Sequence, residues 1–341
     1  MHLLSLANMV PNERFSQERV WKEIETTAEC AKLRDSSRGL LRKVLLGNSG
    51  IAERQLAASG LNELISREAE DLNRVFEKEA TNLASTALEK ALSGAGCLPS
   101  ELDALLVCTC TGYLCPGLSS FVAERCGLRE DAQLLDLVGL GCGAALPLLR
   151  QGDACLLQGA RKVACIAVEI CSAAFYLDDD PGVLISFCLF GDGASASIWT
   201  GAADRQELGT LGPVRSLHWP QERESLRFIN ARGKLKNVLA SSVPGVGARA
   251  VAELAGQFTA PMGTLLVHPG GRKVLEAIHS FFPDQPLCES WDVLRDHGNM
   301  SSPSILFVLE RWLNGNAGAR DATLTSFGAG FTCHMAGFTR V

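Results

Sequence analysis

Residues 137–152, LVGLGCGAALPLLRQG, set one cysteine between two glycines, after an apolar run and ahead of a helical pattern. Gly141 and Gly143 permit a tight strand-to-helix turn and let a ligand come close to the backbone. Pro147 suits the first turns of a helix and would break its interior, so a helix is predicted to start near Cys142. The free N–H groups of such a terminus favour negative charge. Only the thiolate form of cysteine is a good nucleophile, so the same terminus can activate the sulfur. A small residue between glycines equally suits close packing, and both readings stand at this point.

Working outward, short apolar runs flank this turn: ALLVCTCT (104–111), LLDLVGLG (134–141), KVACIAVEI (162–170) and SASIWT (195–200). Their length and their glycine or charged borders predict strands buried on both faces of a sheet. Helical patterns such as LSSFVAERCGL and ALPLLRQGDACLLQGA fall between them, which marks an α/β protein. The first hundred residues are predicted to be helical, in ERVWKEIETTAECAKL and in REAEDLNRVFEKEATNLASTALEKALSGAG, the latter ended by Gly94 and Gly96. Residues 201–247 read as a hairpin and connector. Strand and helix then alternate again: TLLVHPGG (264–271), RKVLEAIHSFF, SPSILFVLERWL (302–313), and two closing strands around a glycine turn in ATLTSFGAGFTCHMAGFTRV.

The two parts echo each other. Gly141 follows Val107 by 34 residues and Asn299 follows Val267 by 32, and each part ends in an FG-x-G turn, at 190–195 and 327–332. An ancestral duplication, divided as 1–200 and 201–341, accounts for the echo.

The bulk composition limits the function classes. The chain has 341 residues, 47% of them hydrophobic and 21% charged, with a mean hydropathy of +0.12, which is material for a large buried core. A net charge of −6 argues against a nucleic-acid partner, since phosphate binding needs a concentrated basic surface. No apolar run reaches the roughly 18 residues of a membrane span, and the opening MHLLSLANMVPNERFSQERV lacks a secretory pattern, so the cytoplasm is expected. Thirteen cysteines, an odd number mostly inside apolar runs, argue against a disulfide framework. No metal site is predicted: CTC with Cys115 is followed by no second pair at finger spacing, and LDDDPG (177–182) reads as a solvated turn. FGDGAS lacks the G-x-G-x-x-G pattern and precedes a strand, so no dinucleotide is expected.

Two residues in the second part suit a thiolate. His268 ends a strand before PGG, at the strand edge where α/β sheets present ligands; His334, within a predicted strand, is the rival. Asn299 precedes SSP and a helix, where it can be an N-cap. Its amide also donates two hydrogen bonds and never ionises, which suits an oxyanion beside a thiolate.

In order and spacing, LVGLGCGAALP, FGDGASASI, VHPGGRKVLEAI, GNMSSPSILFVLE and FGAGF resemble the type III polyketide synthases, the chalcone-synthase-like branch of the thiolase superfamily, from about residue 5 onward. The resemblance implies a thiolase-like α/β fold of five layers, αβαβα, built from two similar halves, and a homodimer. It implies Cys142 as nucleophile with His268 and Asn299, and Phe190 as a gate to the cavity. It places Cys110, Thr111, Cys115 and Cys171 at the cavity lining and Arg54 at a contact for the phosphates of coenzyme A. The family's second gating phenylalanine falls near Asn237, a departure from the pattern. The implied reaction loads an acyl-CoA starter and extends it with malonyl-CoA, with no cofactor besides the coenzyme A thioesters. The alternatives are a ketoacyl-synthase III or hydroxymethylglutaryl-CoA synthase, which share the Cys–His–Asn set, and a non-catalytic binding protein on the same fold.

Overall fold

The strand runs are buried on both faces because each feeds two cores at once. In a computed structural model that describes residues 1–258, 262–315 and 318–341, the strands are β1 (His2–Met9), β2 (Arg14–Ser16), β3 (Glu53–Gln55), β4 (Ala104–Thr109), β5 (Gln133–Val138), β6 (Lys162–Glu169), β7 (Gly193–Thr200), β8 (Gly209–Leu211), β9 (Arg215–His218), β10 (Leu226–Ala231), β11 (Lys234–Leu239), β12 (Thr264–Val267), β13 (Asp321–Gly328) and β14 (Thr332–Arg340). The helices are α1 (Gln17–Ile24), α2 (Ala28–Ala31), α3 (Asp35–Leu45), α4 (Leu61–Ser66), α5 (Ala69–Gly94), α6 (Leu118–Cys126), α7 (Ala145–Leu157), α8 (Pro181–Leu189), α9 (Val243–Ala255), α10 (Arg272–Phe281), α11 (Cys288–His297) and α12 (Ser304–Asn314).

The main sheet runs β12-β13-β14-β8-β1-β7-β6-β4-β5, with β9 beside β14. Side chains alternate across it with the two-residue period of a strand. Leu105 and Val107 of β4 join Ala164, Ile166 and Val168 of β6 under α5, while Leu106, Cys108, Cys165 and Ala167 face α7 and α12. In the second half, Leu266 faces the same α7/α12 layer, and Leu265 and Val267 face α9 and α10. In section the order is therefore helix, sheet, central helices, sheet, helix, the two sheet layers being one continuous sheet joined through β8, and the two halves share the middle layer.

The sequence expectation fails at the beginning. β1 is a central strand, antiparallel to both β7 and β8, in a region predicted to be helical. HLLSLANM has no β-branched residue, so propensity gives no signal; burial of Leu3 on one face and Leu4 on the other makes it a strand. The first predicted helix is split into α1 and α2, because Thr27 accepts from Cys30 N–H and starts a new helix. The hairpin predicted within 201–247 is β10–β11, paired in register from Leu226–Leu239 to Ala231–Lys234. LDDDPG proves to be the start of α8: Asp180 caps it, accepting from Gly182 N–H at 2.9 Å, with Pro181 in the first turn.

Candidate active site

Cys142 lies in a single 3₁₀ turn, Gly141–Gly143, leading into α7, with Pro147 in the first turn of that helix as the sequence predicts. The turn is seated on the other half of the molecule. A Cβ at Gly143 would stand 3.1 Å from Gly328 N and from His334 Cδ2, and one at Gly328 would stand 2.6 Å from Gly143 N. Gly141 also has φ of +61°, the left-handed region where a side chain is strained. Two glycine turns, one from each half, interlock here.

Asn299 arrives on the loop between α11 and α12. Its N–H donates to Leu189 O (2.9 Å) and its carbonyl accepts from Gly191 N–H (3.0 Å), which pairs it as one parallel bridge with Phe190. The side-chain Nδ2 donates to Gly270 O at 3.3 Å, and Oδ1 accepts from Ser301 N–H at 2.8 Å. The side chains of Asn299 and Ser301 lie near enough to the Cys142 thiol for both to favour its charged form. His268 follows β12, its N–H donating to Thr325 O at 2.9 Å. Its buried ring lies 3.5 Å from the Cβ position of Gly270, the residue whose carbonyl Asn299 holds, and Phe327 stands edge-on to it at 6.3 Å. His334 is held at Nδ1 by Ser216 Oγ (2.8 Å), behind the Cys142 turn.

The electrostatics correct one expectation. Burial, with the Glu169 carboxylate adding to it, pushes the Cys142 thiol up to about 11, although the Ser301 and Asn299 side chains pull the other way. The helix terminus alone does not hold this sulfur ionised. Burial likewise pushes the His268 imidazole down to about 3. Each group alone therefore favours its neutral form.

Phe190, Thr111 and Cys171 line a cavity together with Phe187, Phe228 and Asn237; its free volume is about 30 Å³, room for roughly two water molecules. Asn237 stands where the sequence places the second gate, directly across from Phe228 in the β10–β11 pair. Its amide donates to Ser186 Oγ at 2.7 Å and is thereby tied to α8. Cys110 lies beside the thiol, its Sγ 3.2 Å from Ser301 Oγ.

Cys110, also expected at the lining, is not among the residues that line this cavity, and two more of the anticipated contacts are elsewhere. Cys115 is exposed and outside this cavity, on the turn after β4. Arg54 is fully buried, so it is not a surface contact for coenzyme A phosphates: β3 pairs with β2 and turns this side chain inward, where Nη1 donates to Phe187 O (2.7 Å) and Phe190 O (2.6 Å).

The sequence reading missed Glu169. This buried carboxylate accepts at Oε2 from Thr109 Oγ1, Cys110 N, Thr111 N and Thr111 Oγ1, and at Oε1 from Ser301 and Ser302 hydroxyls. It fastens β4, β6 and the Asn299 loop into one network. The signal was present in KVACIAVEI, because a carboxylate at the end of a fully buried strand must be paired.

A family model described as FAE1/Type III polyketide synthase-like protein matches residues 6–212. The 1,3,6,8-tetrahydroxynaphthalene synthase of Streptomyces peucetius subsp. caesius is 31% identical over 320 residues, 88% of this chain and 82% of the relative. Phloroglucinol synthase of Pseudomonas fluorescens is 27% identical over 342 residues, 96% of each. The chain belongs to the type III polyketide synthase family, acyltransferases of the condensing type. Among solved structures, PKS-I from the brown alga Ectocarpus siliculosus superposes with a TM-score of 0.89 at 22% identity, covering 100% of this chain and 98% of that one. The 1,3,6,8-tetrahydroxynaphthalene synthase of Streptomyces coelicolor A3(2) gives 0.86 at 22%, covering 100% and 99%. These two share the thiolase-like α/β fold. No helix among the described residues is long and apolar enough to cross a membrane.

Proposed function

We propose that Cys142, His268 and Asn299 carry out decarboxylative condensation of an acyl-CoA starter with malonyl-CoA. The Cys142 proton passes to His268, and the sulfur attacks the starter thioester. Its C–S bond to coenzyme A breaks, and His268 returns the proton to the departing thiolate. Malonyl-CoA then places its thioester oxygen at the Asn299 amide and His268 Nε2. Its terminal C–C bond breaks, releasing carbon dioxide and leaving the electron pair on the enolate. Donors aimed at such charge are worth about 10²- to 10³-fold each. The enolate carbon attacks the acyl group, the bond to Cys142 breaks, and a chain longer by one two-carbon unit stays on coenzyme A. Repetition and ring closure give a pyrone, resorcinol or related polyketide. In this scheme proton transfer to His268 makes the sulfur reactive against the opposing effect of burial, and the scheme needs no metal or redox cofactor.

The observation that supports this reading is the convergence of distant parts of the chain, with the Gly141–Gly143 turn seated on Gly328 and Ala329 and the Asn299 and Ser301 side chains near enough to favour the Cys142 thiolate. In the test, Cys142→Ala is given acyl-CoA and malonyl-CoA. Polyketide is expected to vanish while malonyl-CoA decarboxylation persists through His268 and Asn299; undiminished polyketide overturns the assignment.

Three further points belong to this reading. The protein acts in the cytoplasm, in keeping with thirteen unpaired cysteines. Residues 1–200 and 201–341 are copies of one unit. The chain works as a homodimer joined along β5, which ends the sheet order and exposes Leu134 and Val138 at 40% and 49%; an apolar edge strand of this kind invites a second copy.

A further inference from the structure

The last carbonyls of a helix have no donors within it, and a buried helix end must find them elsewhere. α8 ends at Leu189 inside the protein, and Arg54 supplies the donors: one nitrogen, Nη1, serves both Phe187 O and Phe190 O. The next residues form the bridge that holds Asn299, through Leu189 O and Gly191 N–H. The stem of Arg54 touches the other side of that bridge as well. Gly298 has φ of +68°, and a Cβ there would meet Arg54 Cγ and Cδ at 2.9 Å and Leu189 O at 2.6 Å. Gln55 repeats the pattern. Its carbonyl accepts from Asp192 N–H (2.9 Å), its Nε2 donates to Asp296 O (3.1 Å), and its Oε1 lies 2.7 Å from His297 Nδ1. β3 thus clamps together the two passes of chain that carry Phe190 and Asn299.

We propose that Arg54 is a positioning residue for the reaction: by holding the Phe187 and Phe190 carbonyls and backing Gly298, it fixes the Asn299 amide over the Cys142 sulfur. This rests on Asn299 being the donor for malonyl-CoA decarboxylation. Among the described residues Nε and Nη2 of Arg54 have no hydrogen-bond partner. A guanidinium buried so sparsely is a poor device for stability alone; what it secures is the place of two carbonyls. The Cys142 turn is seated instead on Gly328 and Ala329. Loss of Arg54 should therefore separate the two functional groups, displacing the amide and leaving the thiol in place.

The experiment compares Arg54→Lys in the Cys142→Ala background with Cys142→Ala alone, in malonyl-CoA decarboxylation. The expected result is a fall in kcat of about 10- to 100-fold with KM changed by less than about threefold, the mark of a misplaced group rather than lost binding. With Cys142 present, Arg54→Lys should keep iodoacetamide labelling of that residue, followed by peptide mass spectrometry, within about twofold of wild type. Decarboxylation unchanged in the folded variant overturns the proposal, as does a loss of labelling in step with decarboxylation. If Arg54→Lys does not fold, Arg54→Gln takes its place, and failure of both to fold assigns Arg54 to stability and overturns the positioning role. A Cys142→Ala parent that does not decarboxylate malonyl-CoA removes the role of Asn299 itself, a failure visible before any change at Arg54 is made.

Discussion

At Cys142 and His268, burial works against each charge separately, pushing the thiol up to about 11 and the ring down to about 3. In the proposed mechanism the thiolate therefore depends on the ring accepting the proton. Replacing His268 by Gln removes the acceptor and leaves burial in control, so iodoacetamide labelling of Cys142 should rise about tenfold per pH unit between pH 7 and 9. The wild-type protein should label at least about tenfold faster than the variant at pH 7. Equal rates at that pH would show that the sulfur gains nothing from the histidine. At this scale the sequence was informative where a residue type is rare for its setting: a cysteine between glycines, a histidine at a strand end. It was silent on Ser301, whose hydroxyl lies between Cys110 Sγ and Glu169 and whose φ of +59° only a completed loop can impose.

Among the elements, the β10–β11 hairpin sets the reach of the cavity. Phe228 and Asn237 are paired across it and share one face, so they present a ring and an amide to the same space. The amide is bound to Ser186, and Lys236 pairs with Asp180 at 2.6 Å, which fastens β11 to the start of α8. Phe228 is the ring that limits the volume from this side. Phe228→Ala should open the cavity and raise kcat/KM for hexanoyl-CoA relative to acetyl-CoA by about tenfold or more, the range expected when a hydrophobic pocket gains methylene-sized room. An unchanged ratio in a starter panel would place the limit elsewhere, at Phe187 or Phe190. The sequence showed this hairpin by its turn and polarity, and showed Asn237 as an oddity of the family pattern. Which side chain faced it across the strands depended on register, which no local pattern in residues 226–239 specified.

For the whole molecule, alternating runs and the repeated FG-x-G turns made the layered α/β architecture readable, while β1 was not, because its strand identity comes from the neighbours it pairs with. Arg54 was misplaced for a related reason: a charged residue in a short polar stretch reads as surface until the strand that carries it is seen to face inward. Assembly is tested at this scale. Leu134→Lys with Val138→Lys puts charge on the open edge of β5 and should convert a dimer to a monomer in sedimentation; a dimer that persists has its contact elsewhere. The interlocked glycine turns carry one more implication. Gly328 seats the turn that holds Cys142, so translation must run past that residue before the sulfur has its surroundings. If Cys142 is the nucleophile proposed above, a chain that stops short of Gly328 lacks the seat of its reactive sulfur.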